Sequence, residues 1–557
     1  DAATGLPVPT IAVATDGGVS VIKDDETVVD WYRFDGNEFS HQVAFDENNS
    51  LFVTWGTTKG QERHLSYLDA IPLSDDNQMT DNYYNSYSGV GSTAFGSNGQ
   101  GILSNNARAF AAKTGRQRLF LLDHNRNNTD NSSVCDITSD YNTGWMNGNI
   151  KLATLSDTST TFDTTELVTN GTFNTDISGW TASGSNNISW SSGTISVARN
   201  NSTAYGAYQA ISTVAGKQYQ VTFDVPVAGS TTVARLYVGS TAENDNLAIL
   251  GPSSNGTTGT NFGGVFTAVG TTTYIHLGAA GTTVGTASFD NVSVTLAEQD
   301  RSVNGKGLQV FGTVTKTPVA TGADLVAYSG FSTSNYLAQP YNSDLDFGTG
   351  DFSYMGWVKW VSGTGYLFDR ADTSGSRRVA VYPNSNGAVT FYTENGYATA
   401  AASTLSTNIW SHVTLVRRSG LIYGYHNGVQ VIVPFADTGS KTSADGSALF
   451  KAGVRFNTVE GLDGSIALLR ASATAPSPEQ IKKIYDDEKH LFQENAKATL
   501  YGSSDAVTAL AYDDDTELLH VGTSAGRSVF QGLRRIDNTT DAVGAAISAS
   551  NGMVAED

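Results

Sequence analysis

Three stretches decide the fold: LDFGTGDFSYMGWVKW (Leu345–Trp360), IWSHVTLVRRSGLIYGYHNGVQV (Ile409–Val431) and LDGSIALLRASATAPSPEQIKKIYDDE (Leu462–Glu488). Each is a run of short apolar segments broken by glycine-bearing turns, the pattern of antiparallel strands. The third ends differently. Ser477 is a good N-cap, Pro478 suits a first helical turn and Glu479 favours the positive end of the dipole, so a short helix is predicted from there. Working outward, the same strand-and-turn texture fills the rest of the chain, with Gly 58 and Pro 11 in 557 residues. Stretches with helical spacing are nearly absent, which predicts an all-β protein. The length suggests about three to five domains.

The order of the three stretches resembles the laminin-G/concanavalin A-like lectin fold. In that family a G-D-F-S-x-x-x-W strand precedes W-x-H-V-x-L-V-R, N/D-G-x-x-V and D-G-x-I-x-x-x-R, and a short helix follows. The resemblance implies a lectin-like β-sandwich over 301–491. Just before it, ELVTNGTFNTDISGWTASG opens and TASFDNVSVTL closes a segment of alternating strands, 166–298. Asn170, Gly171, Phe173, Gly179 and Trp180, with Phe289, Asp290, Asn291 and Val292, resemble the paired ends of jelly-roll carbohydrate-binding modules. The resemblance implies a structural calcium held by Asp290 with oxygens near Asn170 and Thr172, although Asn174 stands where the family carries an acid.

The two ends of the chain echo one another. Val13, Thr15, Gly18, Ser20 and Val21 of IAVATDGGVSVI recur as Val521, Thr523, Gly526, Ser528 and Val529 of LHVGTSAGRSVF. VAFDENNSLFVTW (Val43–Trp55) is matched by LAYDDDTELLHVG (Leu510–Gly522). Repeated hairpins of this kind predict propeller blades, about four or five, with a plain β-sandwich as the alternative. Ala109–Leu122 and Gly144–Leu155 are further candidate blades. The predicted architecture is thus a β-propeller-like domain formed by 1–160 and 498–557. The jelly-roll and the concanavalin A-like sandwich are inserted in it. Closing the ring requires AAISASNGMVA near the C-terminus to pair with IAVAT near the start.

Composition limits partners. The formal net charge is −21, so nucleic acid and anionic lipid would be repelled. No apolar run reaches the length of a membrane-spanning helix, and membrane insertion is not expected. Cys135 is the single cysteine, so no intrachain disulfide forms; it reads as a buried thiol. The chain begins at Asp1 without Met, which predicts processing or a fragment.

A search for catalytic chemistry finds no motif, and no catalytic residue is assigned. The concanavalin-like segment lacks a strand of alternating acids, and Asp344-Leu345-Asp346 reads as turn chemistry or a cation ligand. Repeated S-x-D-x-G-x-x-W boxes, a G-x-S-x-G elbow, H-E-x-x-H and a P-loop are all missing. His412 reads as structural. Acidic turns at Asp24-Asp25-Glu26, Asp46-Glu47 and Asp513-Asp514-Asp515 are possible cation sites. Asp16, Asp46 and Asp513 are candidate acids of a propeller channel.

Aromatic side chains are the affirmative feature, because sugars are read by flat rings with nearby polar groups. Trp190, Tyr205, Tyr208 and Tyr237 are candidates in the first insert, and Trp180 is expected in its core. In the second insert Tyr366, Asp369, Arg370, Tyr382, Tyr392 and Tyr397 are candidates, with Asp369-Arg370 read as an exposed ion pair. The passages PVPTIAVATDGGVSVIKDD and FGTVTKTPVATGADLVAYSGFS (Phe311–Ser332) resemble tail or fibre proteins of tailed bacteriophages. That resemblance implies a virion-surface structural and adhesion protein binding host cell-surface glycans, with other virion or tail proteins as partners and a homo-oligomeric state. A polysaccharide-degrading enzyme, secreted or virion-borne, with accessory modules, and a bacterial surface adhesin are the alternatives.

Overall fold

The computed structural model describes residues 10–15, 18–32, 38–45, 51–57, 64–68, 71, 75, 83–84, 100–103, 108–112 and 118–123, and then 133–556 apart from 185, 200–204, 282–283, 303, 377 and 545–546. The protein is all-β, with one α-helix among the described residues.

Two large sheets build the sandwich that contains the three deciding stretches. Phe352–Ser362 lies between Asp463–Ser472 and Trp410–Arg418 in one sheet, and Phe368–Ala371 lies between Leu449–Ala452 and Val379–Pro383 in the facing one. Tyr354, Phe368, Phe391, Leu415, Phe450 and Ile466 are packed between them, with the Tyr354 and Phe368 rings stacked 4.6 Å apart. The helix spans Pro478–Glu488 and starts where its capping residues predict. The Ser477 hydroxyl accepts from Gln480 N at 3.2 Å, and the Gln480 side chain accepts from Ser477 N at 2.8 Å. This reciprocal box satisfies two of the free donors at the helix start.

Residues 166–298 form two five-stranded sheets around a separate core that includes Phe173, Trp180, Phe223 and Phe289. The opening and closing segments lie side by side, as expected. Val292 N donates to Gly171 O at 2.9 Å, and Leu167 N to Val294 O at 3.0 Å. A side chain at Gly171 would place its Cβ 1.9 Å from Val292 O, so the approach requires glycine. Glu166 fastens the seam by accepting from Val168 N and Val294 N, both at 2.9 Å.

Among the described residues, the two ends of the chain supply five smaller antiparallel sheets. They begin at Ile11–Thr15, Glu38–Phe45, Gln100–Leu103, Val507–Asp513 and Ile547–Ser550. Each first strand lies beside the next in that order, the arrangement of propeller blades. The sequence echo is a structural one. Thr15 and Thr523 are opposite Gly18 and Gly526, and each threonine hydroxyl donates to its glycine carbonyl, at 2.9 and 3.1 Å.

Two expectations are corrected here. Ile547–Ser550 pairs with Met553–Glu556, and Ile11–Thr15 pairs with Gly18–Ile22. Among the described residues no strand pairing joins the two ends into a closed ring. The expected hairpin over Gly144–Leu155 is divided. Met146–Asn147 pairs with Ser133–Ile137 in the third small sheet, while Ile150–Thr154 crosses to pair with Asp463–Ser472 of the sandwich. The junction is sealed by one core that draws Leu121, Ile137, Trp357, Leu468, Ile484, Val521 and Phe530 from both regions.

Candidate functional site

The strand Thr272–Ala280 alternates: Ile275, Leu277 and Ala279 enter the core of the 166–298 unit, and Tyr274 and His276 face away. Its neighbours continue the outward row. His276 is opposite Tyr208 on one side and Tyr237 on the other. Tyr205 joins them because a bulge between Tyr205 and Ala207 resets the alternation. The rings touch. Tyr205 and Tyr237 are 5.1 Å apart edge to face, and His276 lies 5.2 Å from Tyr205 and 5.7 Å from Tyr208.

A loop folds over one end of this aromatic face. A Cβ at Gly239 would sit 1.9 Å from Asn244 O, and Asn246 Oδ1 accepts from Ser240 N at 2.9 Å. The loop brings Glu243 and Asp245 to the rings. Burial, then the nearby Asp245 carboxylate, raises the Tyr205 phenol above its ordinary value. Burial pushes Tyr237 up to about 12 and His276 down to about 4. At neutral pH Tyr205, Tyr237 and His276 are therefore uncharged; His276 and Tyr237 are buried, and the half-buried Tyr205, Tyr208 and Tyr274 form the accessible face, beside Glu243 and Asp245. Such a surface can stack on the C–H face of a sugar and bond its hydroxyls.

Three of the four candidates from this unit are thus brought together. Trp190 lies apart on the other sheet, 45% exposed, its Nε1 donating to Phe173 O at 2.6 Å. Tyr274, His276, Glu243 and Asp245 were missed. The alternation of Tyr274 and His276 in TTYIHLGAA was a readable signal for two of them. Trp180 is in the core, as expected.

In the lectin-like sandwich, Tyr366, Asp369, Tyr382, Tyr392 and Tyr397 share the outer face of the second sheet. They gather around Arg378, also missed. Its guanidinium lies 5.4 Å from the Tyr366 ring and 4.6 Å from the Tyr392 ring. Tyr366 and Tyr382 are 4.6 Å apart, and Tyr397 is 66% exposed beside Tyr392. The reading of Asp369-Arg370 as an exposed ion pair is overturned. Both are buried, and adjacent residues of a strand point to opposite faces. Asp369 accepts from Arg378 Nε at 3.0 Å and Nη2 at 2.7 Å. Arg370 is held by Asp346 and by Lys441 O at 2.9 Å.

The expected calcium ligands are only partly assembled. Asp290 is opposite Asp224 across two paired strands. Burial, with Asp224 adding repulsion, raises its carboxyl above the usual range. Two facing carboxylates are suitable oxygen donors for a hard cation. The Asn170 side chain instead donates to Asp176 Oδ1 at 2.9 Å, the Asn170 backbone carbonyl accepts from Trp180 Nε1 at 3.3 Å, and Thr172 Oγ1 accepts from Asn174 Nδ2 at 3.1 Å. Among the described residues no group of three or more His, Cys, Asp or Glu side chains is placed to hold a metal.

Asp344 pairs with Lys306 at 2.8 Å, so with Asp346 on Arg370 this turn is structural. Asp513 Oδ2 accepts from Gly552 N at 2.6 Å. Asp16, Asp46 and Glu47 lie outside the described residues. Cys135 and His412 are fully buried, as expected.

Residues 331–482 match the family described as the Concanavalin A-like lectin/glucanases superfamily. That part of the chain is a lectin-like β-sandwich. No curated protein matches. Among solved structures, domain 4 of AbnA, a GH43 extracellular arabinanase from Geobacillus stearothermophilus, in complex with arabinotriose, is 17% identical; the match covers 34% of this chain and 92% of that one, with a TM-score of 0.26. The binding domain of Paraclostridial Mosquitocidal Protein 1 is 13% identical over 41% of this chain and 62% of its own, with a TM-score of 0.28. Trypanosoma rangeli sialidase in complex with sialic acid is 9% identical over 86% of this chain and 67% of its own, with a TM-score of 0.26.

Proposed function

We propose that this chain is a glycan-binding adhesion and structural component of a virion surface, a tail fibre or similar part, that holds host-surface saccharides without cleaving them. The observation that carries the reading is the half-buried cluster of Tyr205, Tyr208 and Tyr274, backed by the buried His276 and Tyr237 and flanked by Glu243 and Asp245. The tyrosine face around Arg378 is a second contact surface of the same kind. The units 166–298 and 301–491, inserted between 1–160 and 498–557, belong to this proposal. So do a structural calcium at Asp290, assembly into a homo-oligomer, and attachment to other virion proteins. Repeated copies on one particle would raise avidity by about 10²–10⁴ over a single weak site.

The test pairs glycan-array binding with release of reducing ends from the same glycans. Binding without chain shortening is expected. Tyr208→Ala with Tyr274→Ala should weaken it at least tenfold, since stacking aromatics dominate such contacts. Depolymerisation of a bound polysaccharide would replace the reading with that of a polysaccharide-degrading enzyme.

A further inference from the structure

Lys316 is a buried amine held between two carboxylates. Its Nζ lies 2.7 Å from Asp157 Oδ2 and 3.2 Å from Glu298 Oε2, and the three side chains are 4%, 14% and 5% exposed. They come from three places in the chain, each fixed by backbone pairing. Asp157 pairs with Tyr141, and its carbonyl accepts from Val326 N at 3.0 Å. Glu298 and Leu308 bond each other in both directions, at 3.0 and 2.8 Å. Lys316 is opposite Tyr328 in the paired strands Thr315–Pro318 and Val326–Ser329. The Phe162 and Tyr328 rings lie against the amine, their centroids 4.5 and 5.0 Å from Nζ.

The two carboxylates are not equivalent. Asp157 Oδ1 accepts from Thr158 N at 2.7 Å and from Ser159 N at 3.1 Å. Two backbone donors therefore point at the oxygen on which charge collects if Cγ is attacked, while the other oxygen is the one against Nζ. Glu298 Oε1 accepts from the Tyr328 hydroxyl at 2.6 Å. Burial, with Asp157 adding to it, holds the Glu298 carboxyl above the usual range, against the opposite pull of Lys316 and Arg301. Such a group exchanges protons more readily at neutral pH than an exposed carboxylate. Three ionisable groups withdrawn from water are costly to keep charged. Joining the amine to one carboxylate removes two of those charges.

We propose that Lys316 and Asp157 form an isopeptide bond, with Glu298 as the proton carrier. The ammonium passes one proton to Asp157 Oδ2, which leaves a neutral amine beside a neutral acid. Nζ then bonds to Cγ as a nucleophile, and Oδ1 takes up charge against its two backbone donors. Glu298 relays a second proton from Nζ to Oδ2. The Cγ–Oδ2 bond breaks, one water leaves, the third proton stays on the amide nitrogen and Glu298 is as it began. The step is a condensation, so it needs no oxidant, reductant or cofactor. Holding the reacting groups in contact within a rigid fold supplies the proximity that the reaction lacks between free side chains in water. The bond closes the chain into a loop that contains the whole 166–298 unit.

The experiment is intact mass and peptide mapping of the full folded chain. The native protein should be lighter than its sequence by one water. A protease digest should yield a branched peptide that joins the segments of Asp157 and Lys316. Lys316→Arg and Glu298→Gln should stay at full mass. Asp157→Asn should give the same branched peptide with loss of ammonia in place of water, which an ion pair cannot produce. The mass of the native chain decides the matter whether or not a variant folds. Native protein at full mass, loss of water without the branched peptide, a branch at Glu298 or at another lysine, or a Glu298→Gln chain that is joined as fast as the native one would each overturn the proposal.

Discussion

Asp290 carries a sign that can be read in solution. Its folded carboxyl is raised by burial and by the facing Asp224, so the folded state holds that proton more tightly than the unfolded chain. The benefit is full below the unfolded value, near 3.9, and is lost as pH rises through the folded one. At neutral pH the ionised Asp290 opposes folding, and Asp290→Asn in chelator should raise stability slightly, the gain kept small by solvent screening. Calcium reverses the sign for the native chain alone. At a hundredfold excess over its Kd it should add about 2.7 kcal/mol to the native protein and nothing to Asp290→Asn. Melting curves with and without chelator check this, and identical curves would remove calcium from the site. The residue scale is also where sequence reading was weakest. Tyr205 and Tyr208 are three apart, a spacing that strand alternation sends to opposite faces; only the bulge unites them. Asp369 and Arg370 looked like a rim pair because a glycine-rich turn follows them. Nothing local says that their strand is flanked on both sides in a seven-stranded sheet.

At the scale of the element, the repeated glycine explains why the echo between the chain ends was legible. Gly18 and Gly526 have φ of +132° and +135°, a region open to glycine alone. A Cβ would lie 2.4 Å from Trp31 O in the first case and 2.1 Å from Thr539 O in the second. In each case the carbonyl lies at the end of the strand that pairs next to the glycine's own, Val28–Trp31 and Arg534–Asn538, so one residue type is required by one geometry twice. Gly532 offers a control, with φ of +58° and open space around its missing side chain. Gly526→Ala should therefore cost about 2–4 kcal/mol, and Gly532→Ala, strained in φ alone, about 1–2 kcal/mol. Chemical denaturation of the two variants measures the difference, and equal costs would mean that the approach of Thr539 O is not what fixes Gly526. Capping signals were legible for the same local reason, as at Ser477. Pairing between distant strands was not. IAVAT and AAISASNGMVA both alternate well enough to be partners, yet each closes on its own hairpin, whose short turn costs less entropy than a junction across the whole chain.

For the molecule as a whole, the division of cores decides how it comes apart. The core around Phe173, Phe223 and Phe289 is closed within residues 166–298. The third and fourth small sheets and the lectin-like sandwich instead share one core, while the first two small sheets pack around their own, and Glu488 is the polar centre of the shared one. From the last turn of the helix it accepts from Trp145 N at 2.8 Å, Trp357 Nε1 at 2.7 Å and Arg470 Nη2 at 2.9 Å, with Arg470 Nη1 on its other oxygen. Trp145 comes from the chain's first part, and Trp357 and Arg470 from two strands of the sandwich. Glu488→Ala leaves the Arg470 guanidinium buried without its partner, a change worth about 3–5 kcal/mol. By calorimetry the transition of the joined small sheets and sandwich should fall by about 5–15 °C. The transition of the 166–298 unit should move much less, because its contacts to the rest run through a few polar bonds such as Asp300 N to Gln218 Oε1 at 2.9 Å. Replacing Arg470 by Met in the same chain removes the stranded charge and should recover part of the loss. If both transitions fell equally, or if the third and fourth small sheets melted apart from the sandwich, the shared core would not be the joint that holds them.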